Sequence, residues 1–203
     1  MEQFSVTAGG NTIYQKTFTA GSLFIRQGSH IQHAYVIMDG ISKCYISEDN
    51  GKDYIFEFLG KGEIVGDLEG LRGTPCLCNV EAVTDLSVYV IRQDVFTAMV
   101  NTEPAFNRLL MESLAIRLGQ TCERASYQQL YPIEYGLLRL LMLAADQQIS
   151  FSKKDLADYL GITVRSFNRT IRQLREKNVI SLAGLRIDIG KRELEALLKA
   201  YAE

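Results

Sequence analysis

Arg165, Arg169 and Arg172 recur at i, i+4 and i+7. On a helix that spacing places three guanidinium forks on one side. Phe167, Ile171 and Leu174 repeat the same interval on a different face. One face is fit for a core. The other offers forked donors to base edges and phosphates, and Ser166 and Asn168 add a hydroxyl and an amide near its start. A purely structural amphipathic helix more often mixes acids among its bases. Here the only acid is Glu176, at the far end. Lys177 follows it, and Lys153 and Lys154 open the preceding segment. Arg165, Ser166, Asn168 and Arg169 are candidates for base contacts; Arg172, Lys177, Lys153 and Lys154 are candidates for phosphate contacts.

These side chains need two short helices held at a sharp angle. Ser152-Lys153-Lys154-Asp155 resembles a capping box, with Asp where Glu is usual. It predicts a helix over Lys153–Leu160, with Leu156 and Leu160 facing inward. Ala157 and Gly161, spaced i, i+4, let two helices approach closely, and glycine at 161 suits a helix end. Thr163 is a good N-cap for a second helix over Thr163–Glu176. Val179–Leu182, Ala183-Gly184 and Leu185–Ile189 then read as a β-hairpin, the wing of a winged helix-turn-helix. Residues 150–192 carry 10 Lys and Arg against 4 Asp and Glu, whereas residues 1–100 carry 7 against 12. A basic end on an acidic body suits a polyanionic partner, or else a solvated basic face.

Upstream the periodicities differ. Thr12–Phe18, Ser22–Ile25, Ala34–Met38, Ser42–Ile46, Tyr54–Leu59 and Val80–Ile91 read as strands between closely spaced glycines, which suggests a closed or sandwiched antiparallel barrel. Asp94–Val100 reads as a short helix, and Asn101-Thr102-Glu103-Pro104 starts another. Phe106, Leu110, Leu114 and Leu118 recur every four residues along Ala105 to about Leu130, a helix of roughly 37 Å. That stripe invites a partner helix, or packs on the barrel itself. Tyr131-Pro132 breaks the pattern, and Ile133–Ala145 is a strongly apolar helix. The expected fold class is therefore α+β: residues 1–100 a sensor barrel, 101–130 a dimerisation helix and 131–203 a winged helix-turn-helix domain.

Other chemistries are less well supplied. A cupin-type barrel enzyme needs several His and carboxylate ligands converging inside the barrel, and His30 and His33 are the only histidines. No nucleophile–base pair or phosphate loop stands out, so no catalytic residue, metal or cofactor is assigned. Cys76-x-Cys78 invites a redox reading, but two such residues on a strand face the same way and serve as small core residues. Cys44 and Cys122 lie on another strand and on the long helix. No apolar run is long enough for a membrane span and Met1–Phe4 lacks signal-peptide character, so a cytoplasmic protein with free thiols is expected.

Together these residues resemble the cyclic-AMP receptor / fumarate-nitrate regulator (CRP/FNR) superfamily over about Gly21 to Gly190, and within it the YeiL-like branch. Gly21-Ser22-Leu23-Phe24-Ile25-Arg26-Gln27-Gly28 is similar to the family barrel's first corner, Ala34–Gly40 to its next strand and turn, and Gly62–Asp67 to the start of its ligand cassette. The resemblance implies a cyclic-nucleotide-binding-like jelly roll and a homodimer joined through Phe106, Leu110, Leu114 and Leu118. It implies double-stranded operator DNA as partner, RNA polymerase as a further partner of an activator, and a small-molecule effector. The implied effector pocket comprises Gly66, Asp67, Arg72, Cys76, Leu77, Cys78, Thr121 and Cys122. Cys76 and Leu77 stand where the family places an Arg-Ser or Arg-Thr pair on the cyclic phosphate, and Asp67 where a ribose-binding Glu is usual. Thr121-Cys122 replaces Thr-Ser on the purine side. A buried phosphate without its guanidinium is heavily penalised, so the expected effector is something other than cyclic AMP, or none. Arg72, in the preceding loop, is the one substitute. In the second helix, Val164, Arg165 and Arg169 replace the family's Arg, Glu and Arg, and Arg165 favours guanine acceptors where a carboxylate favours cytosine.

Overall fold

A computed structural model of the chain describes residues 13–146, 151–181, 184–185 and 187–201. The strands are β1 (Ile13–Phe18), β2 (Leu23–Ile25), β3 (His33–Asp39), β4 (Ser42–Ser47), β5 (Asp53–Leu59), β6 (Ile64–Val65), β7 (Asn79–Ala82) and β8 (Leu86–Arg92). The helices are α1 (Asp67–Arg72), α2 (Gln93–Thr102), α3 (Pro104–Leu130), α4 (Ile133–Asp146), α5 (Lys153–Tyr159), α6 (Val164–Glu176) and α7 (Lys191–Ala200). The chain divides into one unit of residues 1–51 and 56–115 and another of residues 52–55 and 116–203.

The first unit is built on two four-stranded sheets, ordered β1-β8-β3-β6 and β2-β7-β4-β5. Strand alternation decides which residues fill the space between them. Ile37, Val88 and Val90 meet Ile25, Leu59, Val80 and Ala82 in one apolar cluster. The opposite face of the first sheet supplies Ala34 and Ile91, which pack with Phe96 of α2 and Leu110 of α3. The long apolar run Val80–Ile91 is two strands rather than one. Val83 donates its N–H to Ile41 O, and the Ile41 N–H donates to Thr84 Oγ1, so the chain turns from one sheet to the other between Ala82 and Leu86.

The row Phe106, Leu110, Leu114 and Leu118 divides. Leu110 is 2% exposed in the cluster on the outer face of the first sheet, and Phe106 and Leu114 pack against the same cluster. Leu118 is 66% exposed. A spacing of four advances about 40° per step on a helix of 3.6 residues per turn, so the row winds roughly 120° around α3. Leu110 and Leu114 are thus barrel residues. Met111, Ala115, Leu118, Cys122 and Ala125 alternate in steps of four and three, which holds one face. Apart from Met111 and Leu118, both largely exposed, these are small side chains, also at exposed positions.

The second unit buries Leu137, Leu138, Leu140, Leu156, Phe167 and Leu174, which join α4, α5 and α6. Among the described residues no helix is long and apolar enough to cross a membrane. Of the expected wing hairpin, Leu182, Ala183 and Arg186 lie outside the described residues. An antiparallel bridge pairs Ile180 with Ile187, and the Asp188 N–H donates to Val179 O.

Because Leu110 is a core residue, Leu110→Ala should destabilise the first unit by about 2–5 kcal/mol. Denaturant unfolding of wild type and variant, followed by fluorescence, measures it. A change within noise would make Leu110 an interface candidate again.

Candidate nucleic-acid interface

Both caps of the helix pair form. The Ser152 hydroxyl accepts from the Asp155 N–H at 3.0 Å and donates to Asp155 Oδ2 at 2.6 Å, so the aspartate side chain returns to the cap's hydroxyl. Thr163 Oγ1 accepts from the Ser166 N–H at 3.1 Å. Between them the chain turns at Gly161, where φ is +67°, and the Ile162 N–H donates to Ala157 O. That left-handed backbone is cheap only for glycine. Ala157 is fully buried at the crossing.

α6 then separates its faces as the spacing requires. Phe167, Thr170, Ile171 and Leu174 are buried, and Arg165, Asn168, Arg169 and Arg172 are exposed. Ser166 is half-buried and its hydroxyl meets Thr163 Oγ1 at 3.2 Å, so part of its hydrogen-bonding capacity serves the cap. Lys153 and Lys177 are exposed. Lys154 is engaged by Asp53 Oδ2 at 2.7 Å and Asp158 Oδ2 at 2.6 Å. The spacing of the α6 arginines did not single out Arg175, which donates to Ser181 O at 3.0 Å and Gly184 O at 2.7 Å. It ties the segment after α6 back onto the helix. Its offset of three from Arg172 was the available signal.

The effector candidates scatter. Gly66, with φ +79°, precedes α1, and a Cβ there would stand 2.7 Å from Ile31 Cδ1. Asp67 is buried at the start of α1. Cys76 is 3% exposed in the apolar cluster between the sheets, and Cys78 is also buried, with Leu77 between them 56% exposed. The two cysteines alternate with Leu77 although they precede β7 and lie on no strand. Burial, with Glu69 nearby, pushes the Cys76 thiol above its ordinary range, so it is neutral near pH 7. Arg72 is exposed in the last turn of α1. It lines a hollow of about 200 Å³ with Glu69, Thr74 and Leu77. Thr121 and Cys122 are exposed on α3. Position 76, where the resemblance implies a phosphate-binding guanidinium, thus holds an apolar-packed neutral thiol, whose chemistry does not fit a cyclic phosphate. His30 and His33 border a surface cleft of about 400 Å³ with Arg26 and Tyr35. Among the described residues no three His, Cys, Asp or Glu side chains converge as a metal site.

Comparison with known proteins covers both units. Residues 15–103 match the model of the cyclic nucleotide-binding domain, and residues 137–199 that of the Crp-like helix-turn-helix domain. The cAMP-activated global transcriptional regulator CRP of Salmonella typhimurium is 24% identical over 179 residues, covering 82% of this chain and 85% of that one. The structure of a CRP/FNR-family transcriptional regulator from Thermus thermophilus superposes with a TM-score of 0.79 at 16% identity, covering 93% of this chain and 100% of the other. The c-di-GMP responsive global regulator CLP of Xanthomonas campestris gives 0.79 at 16% identity, over 89% and 95%.

Proposed function

The chain belongs to the CRP/FNR superfamily of transcription regulators, and from that premise we propose that it binds operator DNA as a homodimer under an effector other than cyclic AMP, or under none. The observation that carries the DNA reading is α6. Its buried face anchors the helix, and its other face presents three arginines and an amide with no acid before Glu176. The N-terminal end of α6 enters the major groove, with Arg165 and Arg169 on base edges beside Ser166 and Asn168. Lys153, Lys154, Arg172 and Lys177 meet phosphates. RNA polymerase is a further partner if the protein activates. The YeiL-like branch, the cytoplasmic location and residues 101–130 as a dimerisation segment are part of the same reading. The barrel is retained as scaffold while its ligand is changed or lost. CRP is named for cAMP and CLP for c-di-GMP, and the Cys76 environment does not suit the cyclic phosphate of cAMP.

Arg165→Ala and Arg169→Ala should each cost roughly 1–3 kcal/mol on the preferred operator and relax one base position per half-site. Lys153→Ala should weaken all sequences alike and lower the salt slope by about one unit for each phosphate that the lysine no longer neutralises. Selection of bound sequences followed by salt titration separates the two roles. Unchanged base preference in both arginine variants would overturn this reading face.

Calorimetry should detect weak or no cyclic-AMP binding; micromolar or tighter affinity would show that a cation reaches the site despite the buried thiol at position 76.

The dimer uses the exposed row of α3. Replacing Met111 and Leu118 together by Glu should give monomers in sedimentation while the far-UV spectrum is kept. A wild type that is monomeric at micromolar concentration would refute the dimer.

A further inference from the structure

Three consecutive residues at the start of β5 belong to the second unit and grip its helices. The Tyr54 hydroxyl donates to Gln128 Oε1 at 2.7 Å, and Gln128 Nε2 donates to Tyr159 O at 2.9 Å. Arg124, 4% exposed, donates to Ile55 O at 2.9 Å and lies 5.2 Å from the Tyr54 ring and 4.5 Å from the Tyr159 ring. The Tyr54 ring also backs the turn of the helix pair: a Cβ on Gly161 would stand 3.3 Å from it. Held this way, Asp53 reaches the Lys154 ammonium at 2.7 Å. Asp158, one turn along α5, reaches it at 2.6 Å. Partial burial opposes the charge, but the two carboxylates outweigh it and hold the ammonium charged well above the usual lysine range.

A phosphate approaching this ammonium meets two carboxylates as well. Asp158 is fixed on the same helix, whereas Asp53 comes from 101 residues away in sequence. We propose that Asp53 is an internal competitor of the DNA backbone for Lys154, occupying in the free protein the place a phosphate oxygen takes in the complex. DNA binding then exchanges one anionic acceptor for another, and the Asp53 pair lowers the affinity of every sequence equally. The inference rests on the reading of Lys154 as a phosphate contact.

The test uses the full chain and non-specific duplex DNA, with binding followed by fluorescence anisotropy across a salt series. Asp53→Asn should tighten binding about two- to fivefold per DNA-binding unit, the scale of one exposed ion pair. The gain should vanish in a Lys154→Ala background. Asp53→Ser serves as a second variant that lacks the amide. Unchanged or weaker binding in both Asp53 variants overturns the competition. So does an equal gain in the Lys154→Ala background, which would report long-range charge alone. The double variant separates this from the underlying reading. If Asp53→Asn/Lys154→Ala matches Asp53→Asn in affinity and salt slope, Lys154 touches no phosphate, and both ideas fail.

Discussion

A guanidinium taken out of water must recover the hydrogen bonds and field that water supplied. Arg124 recovers them from Ile55 O and from the faces of Tyr54 and Tyr159. Because Tyr54 and Ile55 come from β5 and Tyr159 from α5, satisfying this charge ties residues 52–55, the second half of α3 and α5 together within one unit. α5 in turn sets the angle of α6 through Ala157 and the turn at Gly161. The direction in which the α6 arginines face is therefore downstream of a buried cation on another helix. Removing a partner of such a charge is costly, because the buried guanidinium is left less well satisfied.

In the first unit the scaffold and the ligand chemistry are separable. The two sheets need only alternating apolar residues of suitable volume between them. Cysteine at position 76 meets that need as a small core residue with a neutral thiol. Gly66 holds the close approach of the turn to Ile31 beside it, where a Cβ would collide.

α3 shows the same economy of position. Its first turns face the barrel through Phe106, Leu110 and Leu114, and a different face stays exposed further along. A single helix therefore presents one packed row and one exposed row, separated by the rotation that accumulates between steps of four and the heptad's average of 3.5.

The helix-turn-helix was legible in the residues because its determinants are local. Ser152 and Thr163 cap helices that begin one residue later, and the i, i+4, i+7 rows fix both faces of α6 without reference to the rest of the chain. The strands were legible for the same reason, through alternation and glycine corners. What the sequence could not decide depends on where the chain returns to itself. The apolar run Val80–Ile91 looks continuous until Ile41 is seen to bond Val83 and Thr84 and send its halves to different sheets. Leu110 and Leu118 are equivalent as letters, and only the barrel beneath the first turns of α3 buries one and leaves the other exposed. Asp53 and Lys154 are 101 positions apart, and nothing in either neighbourhood points to the other. Local periodicity specifies an element and its faces; which partner meets each face is a long-range property, fixed only when the core and the buried charge of Arg124 bring distant segments together.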